Sequence, residues 1–242
     1  MTVQAVADGS IEIIGVTCCF GSRVALRDLT LTLSERRIGI IGRNGSGKTT
    51  LARLVAGLIA PDAGTLHVGG VDVHADRKAA IRKVGILFQN PDHQIIFPTV
   101  EEELAFGLRQ LGQTKSDARK GAHAMLARFG RENWHDRSVD SLSQGQRHLV
   151  CLMAVLAMQP SVILLDEPFS GLDIPTTRAL RGYLDSLPAM LVHVTHDPTA
   201  ISGYDRAIWL DDGRVAGDGP VAEVLERYLA AMEGAGDADA DL

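Results

Sequence analysis

Polar and apolar residues alternate from Ile11 to Val16 and again across Leu29, Leu31 and Leu33, the pattern of half-buried antiparallel strands. Ile38-Gly-Ile-Ile41 is instead a short continuous apolar run, followed by a helical pattern from Lys48 to Leu58. Gly64 to Val68 reads as a strand with Gly69-Gly70 as its turn, and Val84 to Phe88 as an apolar strand ending at Gln89. From Asn90 to Pro160 the character is mostly helical. Thr99-Val-Glu-Glu102 has capping-box spacing and opens a helix through about Leu111. Ser116 to Phe129 predicts a second helix and Ser143 to Met158 a third. After Pro160 come a strand at Val162 to Leu165, a helix from Pro175 and a strand at Leu191 to Thr195. A strand pair around Gly213 and a helix from Val221 to Met232 complete the pattern.

Apolar strands alternating with helices imply a parallel sheet. The expected fold is α/β, with a parallel-rich sheet and an N-terminal antiparallel β subdomain. The core comprises 1–88 and 161–232, and an α-helical subdomain of about 89–160 is inserted into it. The acidic segment 233–242, with Gly234, Gly236 and three Asp, is expected to be disordered. A chain of 242 residues is long enough for such a core.

Composition narrows the possibilities further. The formal net charge is -6, from 24 basic and 30 acidic residues, which argues against a nucleic-acid partner because that needs a basic face. No run approaches the roughly 20 apolar residues that span a bilayer, so a membrane role must come through a partner. The N-terminus lacks the basic and apolar blocks of a signal peptide. Cys18, Cys19 and Cys151 have no zinc-type spacing and read as reduced thiols. The eight His are scattered without a clustered ligand set.

Three segments carry chemistry. Gly42-Arg-Asn-Gly-Ser-Gly-Lys48-Thr49 follows a strand and opens a helix. Glycines there let backbone N–H groups turn around phosphate oxygens, and the helix N-terminus adds its positive end. Asn44, Gly45, Ser46, Gly47, Lys48, Thr49 and Thr50 are therefore candidate nucleotide-binding residues, with Lys48 on the β- and γ-phosphates and the Thr49 hydroxyl on Mg²⁺. Val162-Ile-Leu-Leu-Asp166-Glu167 is a strand ending in two acids that point different ways. Asp166 is placed to hold Mg²⁺ and Glu167 to polarise an attacking water. In Leu142-Ser-Gln-Gly-Gln146, Ser143 caps the following helix, and Gly145 permits close approach to a phosphate.

Together these motifs resemble the ATP-binding subunit of an ABC-type ATPase, over about residues 11 to 230. The resemblance implies a P-loop NTPase core, ATP and Mg²⁺, and a head-to-tail dimer in which Ser143, Gly145 and Gln146 serve the ATP held by the other subunit. It makes Phe20 the adenine-stacking residue, and Gln89 a contact to Mg²⁺ or the attacking water. Ser170-Gly-Leu-Asp173 becomes the loop crossing to the partner, and His196 the histidine that contacts the γ-phosphate and orients Glu167. Gln144 departs from the family pattern, which most often has Gly there.

Asn90-Pro-Asp-His-Gln94 and Phe97-Pro-Thr-Val-Glu101-Glu-Glu-Leu-Ala-Phe-Gly107 resemble the ATPases of energy-coupling factor transporters. That resemblance implies a transmembrane scaffold (T) protein and a substrate-binding membrane (S) protein as partners. It also implies a peripheral position on the cytoplasmic face of the inner membrane, and a homodimer or a heterodimer with a related ATPase. Val100, Leu104, Leu108 and Leu111 fall on one helix face that either lines a groove for the scaffold or packs within the subdomain. Glu101, Glu102 and Glu103 are placed to draw an Arg of the scaffold, or form a solvated first helical turn. Ser34 to Gly42 and His196 to Gly203 are similar to biotin-transporter ATPases, which favours biotin over a cobalt or nickel ion as cargo. A DNA-repair or translation ATPase, or a P-loop kinase, fits less well. The chain lacks the heptad insertion of the first and the second ATPase domain of the second, and a kinase does not need the Ser143 motif, Glu167 or His196.

Overall fold

The computed structural model describes residues 9–169 and 172–239. In chain order the elements are β1 (Ile11–Phe20), β2 (Arg23–Leu33), β3 (Arg37–Ile41), α1 (Lys48–Val55), β4 (Ala63–Val68), β5 (Val71–Asp72), α2 (Arg77–Lys83), β6 (Val84–Leu87), α3 (Val100–Gln110), α4 (Lys115–Arg128), α5 (Gln144–Ala157), β7 (Val162–Asp166), α6 (Ile174–Ser186), β8 (Met190–Thr195), β9 (Arg206–Asp211), β10 (Arg214–Pro220) and α7 (Val221–Asp239). They form two compact units, one of Met1–Ala80 with Met190–Leu242 and one of Ile81–Ala189.

In the first unit, an antiparallel sheet in the order β2-β1-β4-β5 sets Ile11 between Leu33 and Val68. The alternating residues Ile11, Ile13, Leu29, Leu31 and Leu33 all point into the core. The same unit holds β3 between β8 and β9, parallel to both, with β9 and β10 forming a hairpin. Every residue of β8 is buried, as are the last four of β3, which is why both read as continuous apolar runs rather than alternating ones. Helix α7 covers this sheet through Val224, Leu225 and Tyr228, packed with Ile41, Ile201 and Ala207.

Two features differ from expectation. The acidic tail expected to be disordered from Glu233 is helical through Asp239 in α7. The helix is already nucleated by its packed first turns, and each further residue adds one hydrogen bond without a new nucleation cost. Helix α2 was not anticipated, because Arg77–Lys83 is mostly polar. Its start is held by the Asp76 carboxylate, which accepts a hydrogen bond from Ala79 N at 2.9 Å.

The second unit pairs β6 with β7 in parallel, Val84 opposite Val162. Helix α5 packs on β6 and α3, and α4 closes over α3. Thr99, Thr114 and Ser143 each cap their helix by accepting from a backbone N–H. This unit runs from Ile81 to Ala189 and so takes in β6 and β7 along with the helical segment of about 89–160, with α5 packed on β6. Val100, Leu104 and Leu108 are 0%, 0% and 4% exposed, so this stripe packs inside the unit.

One ion-pair cluster fastens the first unit's strand ends. Arg206 donates from Nε and Nη2 to the two carboxylate oxygens of Asp218 at 2.7 Å each, and from Nη1 to Thr32 O at 2.9 Å and Glu35 at 3.1 Å. Burial pushes the Glu35 carboxyl up, but backbone amides and Arg206 outweigh it and hold it below its ordinary value. Its stabilising contribution is thus complete above the ordinary carboxylate range and lost as the pH falls through the lowered folded value. Arg206→Ala should cost about 2 kcal/mol in urea unfolding at neutral pH. The gap between variant and wild type should narrow on acidification as Glu35 protonates.

Candidate nucleotide site

In the first unit, β3 runs into the loop 42–47 and out into α1. Gly45 and Gly47 take positive φ of 84° and 106°. A Cβ on Gly47 would also lie 2.7 Å from Leu26 Cδ2 and 2.8 Å from Ala25 O, so only glycine fits. The loop is braced from outside. Gly213 N donates to Ser46 O at 3.1 Å, and Arg23 donates from Nη2 to Gly45 O at 3.2 Å. Lys48 Nζ lies across the loop, donating to Gly42 O at 2.7 Å and Arg43 O at 3.0 Å.

The Ser46 hydroxyl is buried with no hydrogen-bond partner among the described residues. Buried polar atoms are normally satisfied, so a hydroxyl left over inside a glycine loop at a helix N-terminus fits an anion's oxygen. Thr49 is exposed in the first turn of α1, with Thr50 half-buried beside it. Phe20 ends β1 and is 53% exposed, an open aromatic face opposite Arg23 in the hairpin. His196 is exposed directly after β8.

The second unit carries the acids. Asp166, the last residue of β7, is 6% exposed. Glu167 follows with φ 50°, a left-handed backbone that costs a non-glycine residue free energy and concentrates at functional positions. The turn separates the two carboxylates: Asp166 stays in the strand and Glu167 is half-buried beyond it. Leu172 N donates to Phe169 O at 3.2 Å, closing the turn toward Asp173. Ser170 and Gly171 lie outside the described residues. The Arg181 guanidinium stacks 4.8 Å above the Phe169 ring.

Ser143 and Gln146 form a full capping box at the start of α5. Gln146 N donates to Ser143 Oγ at 3.3 Å, and Ser143 N to Gln146 Oε1 at 3.1 Å. A Cβ on Gly145 would lie 3.2 Å from Leu172 Cδ2, so the capped turn and the segment leading to Asp173 are in contact. Gln144 is exposed and leaves this packing intact.

Gln89 is exposed at the start of a loop held by side chains. Phe88 N donates to Gln94 Oε1 at 3.1 Å, and Asp92 N to Asn90 Oδ1 at 3.0 Å. Sequence reasoning missed two anchors of this loop. The buried Glu103 carboxylate accepts from Ile96 N and Phe97 N, both at 2.9 Å, and Arg147 reaches Asp92 from α5 at 3.4 Å. Neither pairing leaves a mark in sequence spacing.

Of Glu101, Glu102 and Glu103, read either as drawing an Arg of the scaffold or as a first helical turn in solvent, each makes bonds within the unit. Glu103 is committed to the loop backbone. Glu101 is bound by Arg119 Nε at 2.9 Å and by His123 Nε2. Burial raises the Glu101 carboxyl, but the hydrogen bonds from His123 and Arg119 prevail and hold it below its ordinary value. Glu102 receives the Thr99 hydroxyl at 2.6 Å. The face of α3 opposite the buried stripe lines a groove of about 640 Å³. Phe97 and Phe106, ring centroids 5.1 Å apart, form its apolar part, flanked by Glu102, Arg109 and Lys115.

A glycine loop between strand and helix, a buried strand ending in two acids and a capped helix turn are the parts of a nucleotide-hydrolysing P-loop protein. Comparison with known proteins agrees and narrows this. The family profile described as ABC transporter matches residues 26–170. The biotin transport ATP-binding protein BioM of Rhodobacter capsulatus is 56% identical over 206 residues, 85% of this chain and 88% of that protein. The structure of cbiO1 from Clostridium perfringens, part of the ABC transporter complex cbiONQ, superposes with TM-score 0.76 at 26% identity, covering 94% of each chain. The dimeric ATP-binding cassette MJ0796, in a post-hydrolysis state with ADP and Pi, gives TM-score 0.76 at 25% identity over 87% of this chain and 98% of that one. The chain belongs to the ABC transporter family as an ATP-binding subunit, and it hydrolyses ATP to drive transport.

Gly47→Ala should destabilise the chain by about 1–3 kcal/mol and remove the rise in Tm that ATP produces, measured by thermal denaturation with and without nucleotide.

Proposed function

We propose that this chain powers biotin uptake as the ATPase of an energy-coupling factor transporter. The observation that carries the reading is its 56% identity, over most of both chains, to a biotin transport ATP-binding protein. The similarity to cbiO1, part of a transporter complex, supports membrane partners. In this reading the chain works through a T scaffold and an S protein, peripherally, at the cytoplasmic face; among the described residues no helix is long and apolar enough to cross a membrane. The groove on α3, where Phe97 and Phe106 sit among Glu102, Arg109 and Lys115, suits an amphipathic helix of that scaffold.

The residues divide the work by chemistry. Phe20 offers a stacking face to adenine, and the amides of 44–50 with Lys48 hold the phosphates. Thr49, Asp166 and Gln89 are oxygen donors suited to Mg²⁺, which would neutralise charge developing on the phosphates when bound. Glu167 takes the proton from the attacking water, and its strained turn aims the carboxylate away from Asp166. His196 orients that carboxylate and the terminal phosphate. In a head-to-tail dimer, Ser143, Gly145 and Gln146 close over the nucleotide held by the other subunit. Asp173, beside the 76% exposed Ile174, lies on the crossing segment. The partner subunit is a second copy or a related ATPase.

Glu167→Gln should lower hydrolysis by roughly 10²–10⁴-fold and accumulate an ATP-bound dimer on size exclusion. Hydrolysis at the parental rate would remove Glu167 as the base. Ala105→Arg, which fills the groove, should release the chain from purified membrane subunits without changing ATP binding. Co-purification of a scaffold and an S protein carrying biotin tests the cargo, and a cobalt or nickel ion on that S protein would overturn it.

A further inference from the structure

Two functional segments of the second unit, the loop after Gln89 and the helix after Ser143, are joined by contacts outside either motif. Arg147 lies one turn into α5, and its N–H donates to Ser143 O at 2.9 Å. Its Nη1 reaches the Asp92 carboxylate at 3.4 Å, and its Nε is buried with no partner. One turn further along the same face, the Cys151 thiol points at Pro91 O at 3.9 Å. Burial, aided by the Glu103 charge, pushes that thiol up to about 12, so it remains a protonated donor. The far end of the loop is tied to α3 through Glu103, whose carboxylate accepts from Ile96 N and Phe97 N. Residues 88–97 are therefore suspended between α5 and α3 by side chains, with Ile96 67% exposed and Phe97 half-buried against Phe106. Phe97 is also a wall of the groove.

We propose that Arg147 is a positioning residue which, through Asp92, couples occupancy of the groove to the placement of Ser143. The proposal rests on the transport reading above. The side chains of the pair are 27% and 56% exposed, so it adds little to stability; its effect is geometric. A shift of the Pro91–His93 turn reaches α5 at two points, the Cys151 thiol in the helix middle and, through Asp92, Arg147 in the first turn beside the Ser143 cap. Arg147 acts through the capped turn, which is short and held by reciprocal bonds.

The test compares ATP hydrolysis by the chain alone and by the chain assembled with its membrane subunits. Arg147→Glu and Asp92→Arg should each lower the stimulation by membrane subunits about tenfold while nucleotide binding by the chain alone is unchanged. The charge-swapped double variant should recover most of the stimulation, a rescue that a purely structural role does not give. Single variants with full stimulation, or a swapped pair no better than either single, would overturn the coupling. A wild-type chain that gains nothing from the membrane subunits would overturn the transport reading itself, and the coupling with it.

Discussion

The turn from a buried strand into a helix through a glycine loop constrains most of the first unit. Gly47 must be left-handed and must lie against Leu26 and Ala25, so the strand carrying those residues has to sit beneath the loop. The β9–β10 turn follows from the same need. Gly213 bonds Ser46 O, and Arg27 N bonds Gly213 O in return at 2.9 Å. The antiparallel sheet, the parallel strands and the hairpin thus meet at one loop. At the helix N-terminus this loop has the form of an anion-binding turn.

The second unit answers to a different requirement, that of holding irregular backbone in place. Glu167 adopts a conformation that its own side chain disfavours. It sits between a fully buried strand and a turn on which Arg181 stacks and Leu172 packs against Gly145. The loop from Phe88 to Phe97 has no ladder of its own and is fixed by Gln94, Asn90, Glu103 and Arg147. Charges that look available in sequence are consumed here. Glu101 and Glu103 serve the unit's own cohesion.

Much of this was legible in the sequence because the signals are local. Alternation marked β1 and β2, continuous apolar runs marked β3, β7 and β8, and capping chemistry marked α3 and α5. Each depends on residues a few positions apart, and the dihedral and hydrogen-bond preferences behind them act over that range. The same locality explains the misses. Helix α2 has no apolar stripe, and α7 continues past the point where composition turns acidic because packing far upstream had already nucleated it.

By itself the sequence determined the glycine loop between strand and helix, the acid-ended strand, the capped turn at Ser143 and most of the elements, α2 excepted. Only the tertiary structure decided which face of α3 is core and which is groove, and that Glu103 holds a loop backbone instead of meeting a partner. It also decided that Arg147 meets Asp92 and that Glu167 is strained. The physical reason is common to all four. Each depends on groups brought together by packing, or on a backbone angle that packing imposes, and neither is encoded in spacing along the chain.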